Sequence, residues 1–369
     1  NWDLRVEEMY RQLISNDPLL ARAVIGHPQF GLPGHVVLAR GVSAELQSQA
    51  AERVAEYLDE HADATWTNDV VYLLSQSDQP EHQQLVRQQF DDFALRGSVI
   101  VALARRPAET DRLQFQAGLH SPDIAVLQAS VEALERLPAS QDAEAQFDLL
   151  EAFRRLGADR QERTVRDRVV KLLQRNLGQD FGYRFDGKSD ASQSDALARW
   201  TEHLKQRFPE VAEKRMQSAE QQQIELLSQL AAVDWSVGRP QSGQALFQKQ
   251  ACYSCHNTRT AVGPDLAGIG TRFSRDDLFA AIAYPNQDVS PRYNITLVET
   301  TRGKMLSGLV IYESVDGLTL LDSTNQTIRI EADEIDARHE LSTSLMPAGL
   351  LDNLQPQDLA DLYAYMESL

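Results

Sequence analysis

At 369 residues the chain is long for one hydrophobic core and predicts at least two structural units. Acidic residues number 54 against 36 basic ones, a formal net charge of −18, which repels phosphate backbones and argues against nucleic acid as a partner. Hydrophobic residues at 42% and charged ones at 24% describe an ordinary globular chain without an apolar run as long as a membrane span. The acidity also serves solubility, and any partner that charge could steer would be basic. The sequence starts at Asn1 with no initiator methionine and no charged-then-apolar leader, as expected of a mature form or an excised fragment.

From Asn1 to about Val233 apolar residues recur at helical spacing with few β-branched runs. One stripe is Leu46, Ala50, Val54 and Leu58; others start at Leu85, Val126 and Val165. Taken at Leu46, Val86, Val126 and Val165 the stripes are 40, 40 and 39 residues apart, near the period of HEAT or armadillo-like helix pairs. The expected class is therefore mainly α, with an N-terminal HEAT-like α-solenoid over residues 1–237, an irregular helical bundle being the other reading of the same stripes. Ser121-Pro122-Asp123 predicts a helix start with Pro122 in the first turn and the acid near the positive helix end, and Leu137-Pro138 a stop.

His27, His35, His61, His82, His120 and His203 are scattered, with no acid or cysteine at ligand spacing, and are expected to be core or surface residues. The polar, aromatic and turn-rich run from Asp180 to Asp190 predicts a loop. The spacing of Asp180, Asp186 and Asp190 does not fit a calcium loop of EF-hand type.

Gly, Pro and Ser cluster between Asp234 and Gly243, which places a boundary near Gly238 and a second domain over residues 238–369. A short helix is expected from Ser242 to Ala251, with Gly243 and Phe247 one turn apart. It leads into Cys252-Tyr253-Ser254-Cys255-His256, which holds both cysteines of the chain. A CxxC pair can be a redox disulfide or half of a zinc site, but here there is no third cysteine for zinc and no βαβ context for a thioredoxin-like pair. CxxCH is the attachment sequence of a c-type haem. Positions i, i+3 and i+4 share one face of a helical turn, so two thiols reach the porphyrin while the imidazole addresses the iron. One covalent haem c follows, held by Cys252, Cys255 and His256.

Beyond Tyr293 the pattern changes to period two. Four strands are expected, at Asn294–Thr300, Lys304–Ile311, Leu318–Leu321 and Thr327–Ile330, with turns at Thr301-Arg302-Gly303, Val315-Asp316-Gly317 and Thr324-Asn325. They would form a small antiparallel barrel inserted over about 293–335. A last helix is expected from Pro356 to Ser368, with Leu359, Leu362, Tyr363 and Met366 on its apolar face.

Gly243, Phe247 and the haem turn resemble a class I cytochrome c, in which the glycine lets the first helix cross the last one closely. Val262-Gly263-Pro264-Asp265-Leu266 resembles that family's G-P-x-L loop. The resemblance makes Pro264 the residue whose carbonyl accepts the hydrogen bond from the far nitrogen of the ligating imidazole. The sixth ligand then comes from beyond the insertion. Met346, in Ser344-Leu345-Met346-Pro347, offers a soft thioether that raises the potential, and His339 is its competitor. Met305 and Met366 are expected to be core.

These motifs, their order, the β insertion and Leu359-Ala360-Asp361-Leu362-Tyr363-Ala364-Tyr365 together resemble the Pirellula/Verrucomicrobium-type haem-binding domain over about the last third of the chain. That resemblance implies periplasmic or other export, because covalent haem is attached outside the cytoplasmic membrane. Members often follow a helical-repeat segment and a β-propeller resembling sugar or alcohol dehydrogenases, so this chain is expected to be a C-terminal part of something longer. The implied function is electron transfer by a single His/Met haem from a dehydrogenase domain or redox partner, without a catalytic site of its own. A haem sensor or scaffold, or a haem enzyme with an open sixth position, is the alternative.

Overall fold

A computed structural model describes residues 2–156, 160–185, 190–215, 219–256, 262–301, 305–322, 327–341, 343–352 and 354–369. It is mostly helical, with one small antiparallel sheet toward the C-terminus. Packing divides the chain into two compact units, Asn1–Ala108 and Glu109–Leu369, so the change of sequence character at Gly238 lies inside the second unit.

In the first unit the helices Trp2–Asn16, Pro18–Ile25, Ala44–Glu60, Asn68–Ser75, Pro80–Arg87 and Arg96–Leu103 follow one another. Several begin at polar caps that satisfy otherwise orphaned amides: Asp17 accepts from the backbone N–H groups of Leu19 and Leu20, and Thr67 from that of Val70. The stripe expected at Leu46, Ala50, Val54 and Leu58 is buried, together with Val70, Val71, Leu73, Leu74 and Val99.

The second unit opens with the helices Arg112–Gly118, Ile124–Arg136, Ala143–Arg155 and Arg160–Leu177, of which the first packs on the second and the last packs on both the second and the third. Asp123 caps Ile124–Arg136 by accepting from Ala125 N at 2.8 Å, and that helix ends at Leu137, before Pro138. Pro122 therefore stands ahead of the cap rather than in the first turn. In the run after Asp180, Tyr183 is buried and its hydroxyl donates to Asp167 at 2.6 Å, while Asp186, Gly187, Lys188 and Ser189 lie outside the described residues. Burial, followed by that hydrogen bond to a carboxylate, pushes the Tyr183 phenol well above its ordinary range.

The sheet comprises β1 (Ile295–Thr300), β2 (Met305–Ser314), β3 (Gly317–Leu321), β4 (Thr327–Glu331) and β5 (Ile335–Leu341), all antiparallel in the order β4-β3-β2-β1-β5. Two expectations change here. Among the described pairings β4 and β5 stand at opposite edges, so the sheet is open rather than a barrel. A fifth strand also forms where the sequence reads as polar loop: Asp336, Arg338, His339 and Glu340 suit an edge, where one side of the strand faces water. The turn at Val315-Asp316 joins β2 to β3 as expected, with Ser314 paired to Gly317. Arg302 and Gly303, with Lys304, and also Thr324 and Asn325, lie outside the described residues.

The sheet is not a separate body. β2 packs on Ile124–Arg136 and β1 on Arg160–Leu177. At the first of these contacts the buried Ser307 hydroxyl donates to Asp123 Oδ1 at 3.4 Å and accepts from Ile124 N at 3.2 Å. A strand hydroxyl thus completes the N-terminus of a helix far away in sequence.

Candidate functional site

Three segments build the site. The helix Pro240–Lys249 runs into the four-residue turn Cys252–Cys255, and the C-terminal helix Pro356–Glu367 crosses the first of these. Pro240 and Pro356 both occupy the first turn of their helices, and the second helix also carries a capping box between Gln355 and Asp358. At the crossing a Cβ on Gly243 would sit 1.9 Å from the Asp361 carbonyl oxygen, so only glycine allows the two backbones to approach. Phe247 fills the adjacent space, edge-on to Tyr365 with ring centroids 5.3 Å apart. Leu359, Leu362 and Met366 are buried beside it, as the apolar face of the last helix predicts.

Ala251, between the first helix and the turn Cys252–Cys255, has φ +58°, and it is the one non-glycine with positive φ among the described residues. That left-handed residue stops one helix and lets the next turn start at once in a new direction. The turn delivers Cys252 and Cys255 to different surroundings. Cys252 packs against the helix-crossing core with Phe247 and Leu359, and Cys255 against Val262, Ile295, Leu309, Leu321 and Leu345. Burial pushes the Cys252 thiol up to about 12 and raises that of Cys255 as well, the opposite of the depressed thiol on which a thioredoxin-like pair depends.

His256 follows directly. Its Nδ1 lies 2.8 Å from the carbonyl oxygen of Pro264, and a carbonyl can only accept, so Nδ1 carries the proton and donates it. Nε2 is thereby left with its lone pair. Burial lowers the histidine below its ordinary range, and the Pro264 hydrogen bond opposes that shift. The loop is held at both ends: Gly263 N donates to the Cys255 carbonyl at 3.0 Å, and Arg272 donates to the carbonyls of Asp265 and Ala267 at 2.7 and 3.1 Å. A Cβ on Gly263 would lie 2.8 Å from His256 Cε1 and 2.9 Å from Nδ1, so this backbone forms one wall of the imidazole.

Cys252, Cys255, His256 and Pro264 are therefore one local constellation. Met346 reaches it indirectly, because its neighbour Leu345 is buried in the same cluster as Cys255 and Val262. Met346 is half-buried, in irregular chain after the sheet. His339 is elsewhere: it lies in edge strand β5, exposed and opposite Leu297. Met366 is in the core, and Met305 opens β2. One pairing that sequence spacing does not reveal is His120 with Asp148, whose Nε2 and Oδ1 are 2.9 Å apart, with Arg215 on the same carboxylate at 2.7 Å.

The donor set suits a c-type haem: two protonated thiols and one neutral imidazole at positions i, i+3 and i+4 about a single turn, with the outer nitrogen fixed by a carbonyl. The second half of this chain thus carries a haem-binding domain of cytochrome c type. Comparison with known families agrees, since residues 238–305 match the family model described as Cytochrome C oxidase, cbb3-type, subunit III. No curated protein matches the chain. Among the described residues no helix is long and apolar enough to cross a membrane.

Proposed function

We propose that residues 238–369 form an exported electron-transfer module that would hold one covalent haem c through Cys252 and Cys255, with His256 and Met346 as the ligands to its iron, and would take electrons from a dehydrogenase domain or partner. The observation that carries this reading is the 2.8 Å contact from His256 Nδ1 to the Pro264 carbonyl, next to two free thiols on the same turn. A haem held there supplies one-electron chemistry at its iron. Cys252 and Cys255 would anchor it through their thiols. Pro264 holds the imidazole in one tautomer and raises its basicity. Met346 favours the reduced state through its soft thioether. The helices before Gly238 we read as a HEAT-like array, a reading supported by the recurrence of their apolar stripes and by the packing of Arg160–Leu177 on both Ala143–Arg155 and Ile124–Arg136.

The test is the spectrum of the whole chain matured in a host that makes c-type cytochromes. Acidified butanone should extract no haem, and the ferric protein should be low-spin with the weak far-red band of methionine-ligated haem. Extractable haem would overturn covalent attachment. A high-spin spectrum would overturn the His/Met pair and favour an open sixth position.

A further inference from the structure

The segment that carries Met346 is held by hydrogen bonds from outside the haem turn. Ser344 N donates to the side-chain oxygen of Asn286 at 2.9 Å, and Met346 N donates in turn to the Ser344 hydroxyl at 3.1 Å. Thr343, one residue earlier, accepts from Ile295 N, the first residue of β1. Leu345 is buried in the cluster that Cys255 joins, and Leu350 is buried as well. Between those two leucines run only Met346, Pro347, Ala348 and Gly349, a span pinned at both ends. On its N-terminal side the pin is a side chain: Asn286, just after the helix Arg275–Ala283.

We infer that Asn286 is a positioning residue for Met346, which through Ser344 fixes the backbone that aims the thioether and so sets how readily another ligand displaces it. The inference rests on the reading of Met346 as an axial ligand. Asn286 needs only an acceptor oxygen for this task. Its own NH2 group has no part in the bond, and an aspartate could replace it. Asn286 is exposed, so its loss should not open a core cavity. What is lost is one hydrogen bond restraining the ligand segment, and a net contribution of about 1 kcal/mol corresponds to a change of about fivefold in an equilibrium.

The experiment is a titration of the ferric holoprotein with imidazole, followed by absorption, which measures competition with Met346 directly. Asn286→Ala should bind imidazole about fivefold more tightly than the parent at unchanged haem content. Ser344→Ala should move it in the same direction, and Asn286→Asp should return it toward the parent value. Met346→Ala is the control and should bind imidazole most tightly. If Asn286→Ala matches the parent while Met346→Ala does not, the positioning role is overturned and the ligand assignment stands. If Asn286→Asp behaves like Asn286→Ala, the acceptor argument is overturned. A low-spin spectrum and parental imidazole affinity in Met346→Ala would overturn the ligand assignment, and this inference with it.

Discussion

Gly243 and Asp361 cross backbone to backbone: a Cβ on the glycine would sit 1.9 Å from the aspartate carbonyl oxygen and 2.7 Å from Tyr365 Cβ. Neither obstacle is the flexible end of a side chain, so neither can swing away. Gly243→Ala must therefore push the two helices apart and loosen the packing of Phe247 on Tyr365. The expected cost is about 3 kcal/mol, at the upper end for overpacked positions. Denaturant unfolding of the holoprotein measures it, and a loss below about 1 kcal/mol would mean that the crossing is softer than this geometry requires.

The same aspartate carries a second duty. Its side chain is only 2% exposed, yet accepts from Arg239 N at 2.8 Å, the Arg239 guanidinium at 2.9 Å and Gln357 Nε2 at 2.7 Å. Burial alone would raise the Asp361 carboxyl, but the Arg239 and Gln357 hydrogen bonds outweigh it and hold the group below its ordinary 3.8. A carboxyl lowered in the folded state contributes stability that is complete above that ordinary value and is lost as the pH falls through the lowered one. Asp361→Asn should cost about 2 kcal/mol at neutral pH, because an amide group is turned toward donors. It should also flatten the acid limb of the stability curve below about pH 4. Urea midpoints from pH 7 to pH 3 would show both effects, and a parallel offset at every pH would refute the second.

The turn Cys252–Cys255, the His256–Pro264 hydrogen bond, the glycine crossing and the last helix were all legible in sequence because each depends on contacts close in the chain or on a residue type that nothing else replaces. Edge strand β5 was not legible. Asp336, Arg338 and Glu340 carry the charges an edge needs, and the row between them is interrupted by the exposed His339, so the run reads as mostly polar rather than alternating. The Ser307 hydroxyl on Asp123 and Ile124, the His120–Asp148 pair and Asn286 on Ser344 escaped for a different reason. Each joins ordinary polar residues that are distant in sequence, and no spacing rule singles them out. The unit boundary at Ala108 likewise follows from how the helices and the sheet pack together, whereas composition changes only at Gly238.

Ala251 holds φ +58° immediately before Cys252. A residue with a Cβ strains in that region by about 1 kcal/mol or somewhat more, whereas glycine does not. Ala251→Gly should stabilise the holoprotein by about 0.5–1 kcal/mol after the extra unfolded-state entropy of glycine is deducted. Ala251→Val should destabilise it, since β-branching makes the same conformation worse. Thermal unfolding of the two variants decides the sign, and equal melting points would show that the turn relaxes out of the left-handed region.

His82 is buried in the first unit, and burial lowers its pKa below the ordinary 6.5, against the opposing pull of Glu52 and Glu81. The unfolded chain therefore takes up the proton first. Stability that depends on a neutral His82 is intact above pH 6.5 and falls as the pH drops from there toward the lowered folded value. His82→Leu should remove this contribution, so that its melting temperature declines less than the parent's between pH 7 and pH 5 while the neutral-pH value changes according to packing alone. A parent protein whose melting is flat over that interval would rule out His82 as the group that resists protonation.

Gly263 is the position where the proposed haem ligation and the backbone geometry meet most directly. A Cβ there would lie 2.8 Å from His256 Cε1, 2.9 Å from Nδ1 and 3.2 Å from Nε2, across the whole imidazole edge. Gly263→Ala must either turn the ring or move the loop that presents the Pro264 carbonyl. Both changes lengthen the 2.8 Å hydrogen bond. With that bond weakened the imidazole becomes a poorer donor, and the oxidised metal, which gains most from a basic ligand, is stabilised less. The midpoint potential of Gly263→Ala should therefore rise relative to the parent, while Cys252 and Cys255 still retain the haem through denaturation. Met346→Ala should move the potential the other way, since on the proposed ligation it removes the thioether that favours the reduced state. Potentiometric titration of the two variants separates the two ligand faces by sign, and a lowered potential in Gly263→Ala would show that the Pro264 carbonyl does not set the donor strength of His256.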